Sequence, residues 1–358
     1  MTWLAVPLYA HAQGLSNAEI GAIISLPVIA QAPFNLAGGA FADRLGGRVI
    51  MLFSAFALGG AALWLSLAEG FWMLLSSQVV LVFSRAIFWP ATWAMASELP
   101  GERGVQLGRL NAAINLGQIS GTAMCGALLA AFGFPATFAV LLAASCAAFV
   151  AALYTQPLNR GPAGRRPLFG AYLPLLRQRI IRYSMVCAYL SAVPFALSLS
   201  FYPLLFLHHG YGNDASGAFL ALRSVGAFFA ALVGGHFVRS GPRTLWPVFC
   251  AFVIAVAVGC LPLTRHAGAI AFWMLLVGMG AGAIMLYIQM TISEASKTEE
   301  RSSALALGST GWNLCMLTIP LLTGFLADRY GIVASFYVIG AVTLGCALVV
   351  AGLRRWAL

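Results

Sequence analysis

The fold of this chain is decided by the stretch Gly39-Ala40-Phe41-Ala42-Asp43-Arg44-Leu45-Gly46-Gly47-Arg48. It lies between two apolar runs, residues 20–42 and 49–67, and each is long enough to cross a bilayer as a helix of about 20 residues. The charged side chains therefore belong at a membrane surface and not in hydrocarbon. We expect Gly39 to let a neighbouring helix approach closely and Gly46 to permit the tight reversal that returns the chain to the membrane.

The same stretch recurs in the second half of the chain. It aligns without a gap with Gly234-Gly235-His236-Phe237-Val238-Arg239-Ser240-Gly241-Pro242-Arg243, in which Val238 stands at the place of Asp43. Further residues repeat at nearly the same offset: Pro7 and Pro203, Gly14 and Gly210, Asn17 and Asn213, Gly21 and Gly217, Ser97-Glu98 and Ser293-Glu294, Gly126 and Gly324, Gly133 and Gly331, Phe138 and Phe336. The chain therefore consists of two similar halves in parallel order.

The spacing G-x-x-x-D-R-x-G-x-R resembles the signature loop between helices 2 and 3 of the major facilitator superfamily of transporters. The two similar halves also resemble the two six-helix halves of that superfamily. The resemblance implies an all-α polytopic membrane protein built from two pseudo-symmetric six-helix bundles. It also implies a secondary transporter that works by alternating access, with a substrate site near mid-membrane between the halves.

Composition and charge indicate a membrane protein. Hydrophobic residues make up 61% of the chain and charged residues 8%, against about 25% charged in ordinary globular domains. The net charge of +10 does not indicate a nucleic-acid partner, because the positive charges gather in loops on one side of the predicted membrane. These charges are Arg44, Arg48, Arg103, Arg109, Arg160, Arg165, Arg166, Arg177, Arg179, Arg182, Arg239, Arg243, Lys297, Arg301, Arg354 and Arg355. The opposite loops carry only Arg265 and Arg329, so the positive-inside rule assigns loops 2–3, 4–5, 6–7, 8–9 and 10–11 to the cytoplasm.

Apolar runs predict the domain organisation. We expect an N-terminal bundle over residues 1–154, a cytoplasmic linker over 155–179 and a C-terminal bundle over 180–358. The predicted helices 2 to 12 are residues 18–42, 49–67, 71–97, 107–132, 135–154, 182–207, 215–238, 245–263, 267–293, 302–326 and 332–353. Helix 1, residues 1–10, has barely half the length of a span, so we expect an incomplete helix 1, through either a start assigned too late or a shortened variant.

Arg85 lies midway along helix 4, where an uncompensated charge costs about 2.5 to 3.5 kcal/mol. We therefore expect it to face the bundle interior, with Trp89 and Trp93 on the same helix face. The pattern Leu81-x-x-x-Arg85 resembles the arginine motif of helix 4 in the superfamily, although Phe88 and Trp89 replace its Gln-Gly. The alternative is a structural arginine satisfied by backbone carbonyls or by Asn111, Asn115 and Gln118.

Other polar and aromatic residues inside the predicted spans are further candidates for the substrate site. Arg223 in helix 8 has no counterpart in the first half, as expected of a residue that serves an asymmetric ligand, although it is also near enough to the membrane face to snorkel. The remaining candidates are Asn115, Tyr189, Tyr287, Trp312 and Asn313.

Helix 5 carries Gly117-x-x-x-Gly121-Thr122-x-x-Cys125-Gly126, which resembles the antiporter motif of the superfamily with one proline and one glycine replaced. Helix 11 has Pro320-x-x-x-Gly324 at the equivalent place. Small residues at this spacing permit close helix contact, so the motif indicates helix packing, exchange or both. It favours export weakly.

We expect the loop residues of the repeated stretch to act in gating. Asp43 is predicted to lie against the amino-terminal end of helix 11, near Ser302 and Ser303, where unpaired backbone N–H groups attract a carboxylate. Charge pairs are predicted between Arg44 or Arg48 and Glu98, and between Arg239 or Arg243 and Glu294. The predicted gating set is Gly39, Asp43, Arg44, Gly46, Arg48, Glu98, Arg239, Gly241, Arg243 and Glu294.

These observations predict a secondary active transporter of a small molecule, with ion-coupled and preferably proton-coupled efflux as the first interpretation. The alternatives are a sugar or organic-anion uptake permease and a non-transporting membrane scaffold or receptor. We expect no enzyme, no metal and no cofactor, because no acid-base or metal-binding group of side chains gathers in the sequence. We expect a monomer in the inner (plasma) membrane that meets its substrate, a coupling proton and the lipid bilayer.

Overall fold

The structure is a computed structural model, and it describes residues 1–31, 34, 45–100, 103–155, 176–240, 245–295, 307–308 and 310–357. Within these ranges the side chains of residues 90, 93, 94, 97, 98, 103–105, 107, 108, 233–240, 293–295 and 355–357 are not described. The described residues form α1 (Thr2–Ala12), α2 (Asn17–Ser25), α3 (Gly47–Leu67), α4 (Gly70–Glu98), α5 (Arg103–Leu153), α6 (Arg179–Leu199), α7 (Tyr202–His208), α8 (Asn213–Ser240), α9 (Trp246–Cys260), α10 (Ala267–Ala295), α11 (Thr310–Tyr330) and α12 (Ile332–Ala357), with a short 3₁₀ turn at Leu261–Leu263.

Helix α5 contains both predicted helices 5 and 6. Gly133 breaks it, with φ 74° and ψ −169°, a backbone conformation that only glycine adopts at low cost. The two arms therefore meet between Phe132 and Pro135, where the sequence predicts the boundary. The predicted linker between the halves, residues 155–179, lies mostly outside the described residues, so the domain boundaries stay a prediction.

The prediction of an uninterrupted helix 7 is wrong, because α6 ends at Leu199 and α7 begins at Tyr202. Ser200 has φ −129° and ψ −71°, outside the helical range. Pro203 lies in the first turn of α7, where its missing N–H does no harm. Predicted helix 7, residues 182–207, falls on α6 and α7 together, and α8 to α12 correspond to helices 8 to 12.

The all-α prediction is confirmed over the described residues, and nine of their helices are long and apolar enough to cross a membrane. The segment Arg109–Leu153 is 45 residues long, which suffices for two crossings at about 20 residues each. Large apolar side chains face outward, among them Phe56, Trp72 and Phe132 at 72%, 78% and 70% exposure. Such a surface is stable in lipid and not in water.

Two helix pairs make the most extensive contacts between the halves: α2 packs against α11, and α5 packs against α8. In the internal repeat, α2 corresponds to α8 and the first arm of α5 corresponds to α11. The two crossings are therefore equivalent when the halves are exchanged, which is the expected pseudo-twofold arrangement.

The helices have two distinct ends. At one, which we call the basic end, lie Gly46 and the arginine-containing segments at residues 103–109 and 176–182. At the other, the opposite end, the turns contain glycines with positive φ, namely Gly14, Gly70, Gly133, Gly210 and Gly331. Glycine is the residue that adopts this conformation readily, so it suits the tight reversals at these five positions.

Candidate functional site

A cavity of about 520 Å³ lies between the two halves, and we call it the central cavity. Its polar lining side chains are Thr2, Gln31, Gln78, Arg85, Asn111, Asn115 and Gln118 from the first half and Ser191, Arg223 and Gln289 from the second. No carboxylate occurs among the described residues that line it. The cavity therefore carries two positive groups without an acidic partner in its described wall.

Helix α4 forms one wall of the central cavity. Gln78, Arg85 and Trp89 are spaced seven and four residues apart, which places them on one helix face. Arg85 donates a hydrogen bond from Nη2 to Thr2 Oγ1 at 2.7 Å. The Gln78 side chain is only 7% exposed, and none of the described residues forms a hydrogen bond with its Nε2.

Helix α5 contributes an amide-bearing face to the same cavity. Asn111, Asn115 and Gln118 follow the helical spacing i, i+4 and i+7. Asn115 Nδ2 donates to the Asn111 carbonyl at 3.0 Å, so this amide is tied to its own helix. The hydrogen bond that the described structure gives Arg85 goes to Thr2 and not to this face, which weakens the alternative of a structural Arg85–amide network.

Helix α8 places Arg223 on the other side of the central cavity. This side chain is 4% exposed, its Nε has no hydrogen-bond partner in the described part of the chain, and its Nη2 reaches Ser224 Oγ only at 3.4 Å. Its guanidinium carbon lies 5.4 Å from the centroid of the Phe195 ring, within range of a cation–π contact. A methyl group at Gly278 would collide with the Arg223 carbonyl. The backbones of α8 and α10 are therefore in close contact at Arg223.

Aromatic rings connect the halves beside Arg223. Phe195 contacts Trp3 edge to face at 4.7 Å between ring centroids, and it contacts Trp312 at 5.1 Å. Trp3, Phe195 and Trp312 all line the central cavity. The cavity thus has an aromatic wall next to its positive groups.

A second cavity of about 600 Å³ lies within the first half. It shares Thr2, Trp3, Arg85, Trp89, Ile114 and Gln118 with the central cavity, and most of its other lining residues are apolar. Arg85 therefore stands at a wall that the two cavities have in common.

The structure brings together Arg85, Trp89, Asn115, Arg223 and Trp312 of the predicted candidates at the central cavity, and the lining does not include Tyr189, Tyr287 or Asn313. The hydroxyl of Tyr189 lies 2.9 Å from Thr318 Oγ1, between α6 and α11. Tyr287 is 2% exposed and packs edge to face on Tyr183. Asn313 is not among the lining residues, and the side chain of Trp93 lies outside the described part.

Sequence reasoning missed Gln78, Gln289, Trp3 and Phe195 at this cavity. For Gln78 a signal existed, since it precedes Arg85 by seven residues and so shares its helix face. For Trp3 and Phe195 there was none, because an aromatic residue in an apolar helix packs against its neighbours as readily as it lines a cavity.

The repeated glycines build the contacts between the halves at the opposite end. A Cβ atom at Gly324 would collide with the Asn17 carbonyl, and one at Gly126 would lie 2.6 Å from the Asn213 carbonyl. In the same way, a Cβ atom at Gly21 would collide with the Pro320 carbonyl. At its repeat partner, Gly217, a Cβ atom would lie 2.8 Å from the Thr122 carbonyl. The repeated residues therefore form the same backbone contacts at both crossings and close this end.

Not all members of the helix 5 motif take part in this packing. A Cβ atom at Gly117 would meet nothing within 4 Å, and one at Gly121 would meet only Met1, at 3.6 Å or more. Gly117 therefore has no close neighbouring helix among the described residues, contrary to the expectation of close packing there. Gly126, Pro320 and Gly324 do lie at helix crossings.

A carboxylate links the halves at the opposite end. Asp328 Oδ1 accepts hydrogen bonds from Asn17 N and Nδ2 at 2.9 Å, and its Oδ2 accepts one from Ala18 N at 2.8 Å. We call this contact the Asp328 latch. A sequence signal for it existed: Gly324-x-x-x-Asp328-Arg329-x-Gly331 repeats Gly39-x-x-x-Asp43-Arg44-x-Gly46. The predicted end of helix 11 at residue 326 placed this aspartate in a loop, but α11 continues to Tyr330.

Most of the predicted gating set lies outside the described residues. Gly39, Asp43, Arg44, Gly241 and Arg243 are not described, nor are the side chains of Glu98, Arg239 and Glu294. Gly46 has φ 84° and precedes Arg48 at the start of α3. The Met95 thioether lies close to Gly47, which brings the end of α4 beside the start of α3. The predicted charge pairs stay predictions.

Two curated proteins are similar to this chain at 24% identity. MFS-type transporter 1 of Ophiocordyceps sp. (strain BCC 1869) aligns over 296 residues, which is 81% of this chain and 65% of that protein. The multi-drug resistance efflux pump PmrA homolog of Lactococcus lactis subsp. lactis (strain IL1403) aligns over 358 residues, 92% of this chain and 85% of that protein. The chain thus spans slightly less than two thirds of the first relative's length.

Solved structures have the same fold. A bacterial homolog of the human lysosomal transporter Spinster, in an inward-facing and occupied conformation, superimposes with a TM-score of 0.76 at 16% identity, over 99% of this chain and 92% of that one. A mutant of the nucleoside transporter NupG superimposes with a TM-score of 0.82 at 11% identity, over 99% and 94%. These similarities bear out the predicted architecture of two pseudo-symmetric six-helix bundles. The family model described as Major Facilitator Superfamily matches residues 1–286 and 257–356, and this chain belongs to that superfamily.

Proposed function

We propose that this protein exports a small molecule across a cell membrane by alternating access, driven by a proton gradient. The observation that carries the proposal is the central cavity, which lies between two halves joined tightly at the opposite end. Its lining extends from Ile24 and Leu199 towards Gln31, Asn111 and Gln289, nearer the basic end. A cavity sealed at one end is what one of the two states of an alternating-access transporter requires.

The basic end is proposed to face the cytoplasm of an inner or plasma membrane. The excess of arginine there supports this orientation through the positive-inside rule. The state described is then the one that receives solute from the cytoplasm. One chain supplies both walls of the cavity, which supports a monomer as the transporting unit.

Two observations favour export over uptake. The Lactococcus relative is named an efflux pump, and the helix 5 sequence around Gly126 resembles the antiporter motif. Coupling to an ion gradient fits a chain without a phosphate-binding loop of the Walker type. Uptake of an organic anion is the second candidate, and the two arginines in the central cavity favour it.

The test is transport by the full chain in proteoliposomes with an imposed pH gradient, using a panel of small organic anions, cations and neutral solutes. We expect at least one solute to move in the direction opposite to the protons. This movement should stop when a protonophore collapses the gradient. Solute movement in the same direction as protons would support the uptake alternative. No gradient-dependent movement of any solute, with correctly inserted protein, would favour the scaffold or receptor and overturn the proposal.

A further inference from the structure

We infer that the solute bound in the central cavity is a small organic anion, held between Arg85 of the first half and Arg223 of the second. The inference rests on the proposed transport function and names its substrate class. Its first basis is charge. Both guanidinium groups line one cavity, and none of the described lining residues is acidic.

A positive group in the membrane interior needs a compensating partner, because the cost of removing it from water is otherwise not recovered. Arg85 has a neutral one, the Thr2 hydroxyl, and Arg223 has the Phe195 ring and a long contact to Ser224. Neither partner carries negative charge. An anion in the cavity would supply the negative charge that both arginines lack in their described surroundings.

The second basis is the set of hydrogen bonds left unmade. Arg223 Nε and Gln78 Nε2 are buried without a hydrogen-bond partner among the described residues, and both atoms are donors. A buried donor without a partner costs about 1 to 3 kcal/mol, so these positions favour a ligand that brings acceptors. Carboxylate, phosphate and sulfonate groups bring several acceptor oxygens in a geometry that a guanidinium matches.

The third basis is the size and the wall of the cavity. About 520 Å³ is within the range of sites that hold molecules of drug size and exceeds the need of an inorganic ion. Trp3, Phe195 and Trp312 offer aromatic surface beside Arg223. The ligand that fits is therefore an anionic head on an apolar or planar body.

The test measures equilibrium binding to the purified full chain in nanodiscs. The probes are an aromatic carboxylate (benzoate), phenyl phosphate and the lipophilic cation tetraphenylphosphonium. We expect an anion to bind and the cation not to compete with it. Preference for benzoate or for phenyl phosphate identifies the head group. Binding of the cation in preference to both anions would overturn the inference.

Substitutions locate the binding. Arg85→Gln and Arg223→Gln should each weaken anion binding by about tenfold or more, since each removes a charged hydrogen-bond donor. Arg265→Gln is the matched control, because it removes an exposed arginine at the opposite end. Should either glutamine variant fail to fold, Gln78→Glu tests the same point by adding a negative charge to the wall, and it should also abolish anion binding. Unchanged anion affinity in these variants would contradict the inference.

Binding and transport separate the two proposals. If an anion binds through both arginines but is not carried in proteoliposomes, the transport function fails and the anion site stands. If the Arg85→Gln/Arg223→Gln variant still transports a cation or a neutral solute at the normal rate, the anion site fails and transport stands.

Discussion

Arg85 and Arg223 owe their position to the cost of a charge in hydrocarbon. An arginine at mid-span is disfavoured by about 2.5 to 3.5 kcal/mol unless it faces protein or water, so helices α4 and α8 turn these residues inward. The structure places both at the central cavity, together with Trp89 one turn along α4. This physical rule is strong enough to be applied to a sequence without a structure.

Replacing Arg85 by Lys tests whether this residue meets solute. Lysine keeps the charge but lacks the planar fork that binds two acceptor oxygens at once. We expect a higher apparent KM or an altered solute range in a proteoliposome assay, with normal expression. A loss of thermal stability and abundance with unchanged selectivity would instead identify a structural arginine.

Thr2→Val is the companion variant, because it removes the hydroxyl that accepts the Arg85 hydrogen bond and keeps the shape of the side chain. If the Thr2 contact only orients Arg85, this change should alter KM in the same direction as Arg85→Lys but by less.

Prediction of the site from sequence fails for Tyr189, Tyr287 and Asn313, which do not line the central cavity. A tyrosine in a span is satisfied by a single neighbour, as Tyr189 is by Thr318, so its polarity does not force it towards a cavity. Its direction depends on the rotation of its helix about its own axis. That rotation is set by packing against other helices, which one sequence does not reveal.

The crossings of α2 with α11 and of α5 with α8 depend on backbone contact. Gly126 lies where a Cβ atom would be 2.6 Å from the Asn213 carbonyl and 2.8 Å from the Gly217 Cα. Gly117, nine residues earlier in the same helix, has no neighbour within 4 Å of such an atom. The two glycines thus form a matched pair with opposite surroundings.

We expect Gly126→Ala to separate α5 from α8, at a cost of about 1 to 3 kcal/mol for overpacking. Gly117→Ala should be neutral or slightly stabilising, because alanine is the better helix former by about 1 kcal/mol. Thermal unfolding in detergent and the transport rate measure both effects. Equal behaviour of the two variants would mean that the close crossing at Gly126 has no role.

The Asp328 latch joins the halves at the other crossing, that of α11 with α2, through hydrogen bonds to a carboxylate. Its carboxylate accepts three hydrogen bonds at the start of α2, where unpaired N–H groups favour an anion by about 0.3 to 1 kcal/mol at an exposed position. Because the contact spans the halves, it stabilises only the state closed at the opposite end.

Asp328→Asn should therefore raise the population open at the opposite end several-fold, since a contact of about 1 kcal/mol is lost. Pulsed electron paramagnetic resonance between labels at the exposed positions 69 and 265, in a cysteine-free background, measures the distance between the two halves at the opposite end. Glu19→Gln is the control: Glu19 closes the capping box of α2 with Ser16 and does not reach the other half. If both variants lengthen the distance equally, the effect comes from fraying of α2 and not from the latch.

For the whole molecule, hydropathy, arginine placement and the internal repeat are sufficient to predict the helix order and the two halves. They do not reveal the interruption of helix 7 at Ser200, because the hydroxyls of Ser198 and Ser200 bond to carbonyls four residues earlier and the segment stays apolar. They also do not reveal which end is closed. That depends on a small free-energy difference between two packings of the same helices.

The two G-x-x-x-D-R-x-G stretches, at Gly39 and at Gly324, are expected to lie at opposite ends of the molecule and to act in opposite directions. Asp43 lies outside the described residues, and its predicted contact with the start of helix 11 exists only when the basic end is closed. Asp43→Asn should therefore favour the state open at the basic end, and Asp328→Asn the state open at the opposite end.

The double variant Asp43→Asn/Asp328→Asn should return the ratio of the two states towards that of the unmodified protein, because each change removes about the same stabilisation from one of them. The interconversion should also become faster, since both closed contacts are weaker. Label pairs at each end measure the populations, and single-turnover transport measures the rate. If the double variant instead shifts further in the direction of Asp328→Asn alone, the Asp43 carboxylate does not stabilise closure of the basic end, and the two stretches share a sequence pattern without sharing a role.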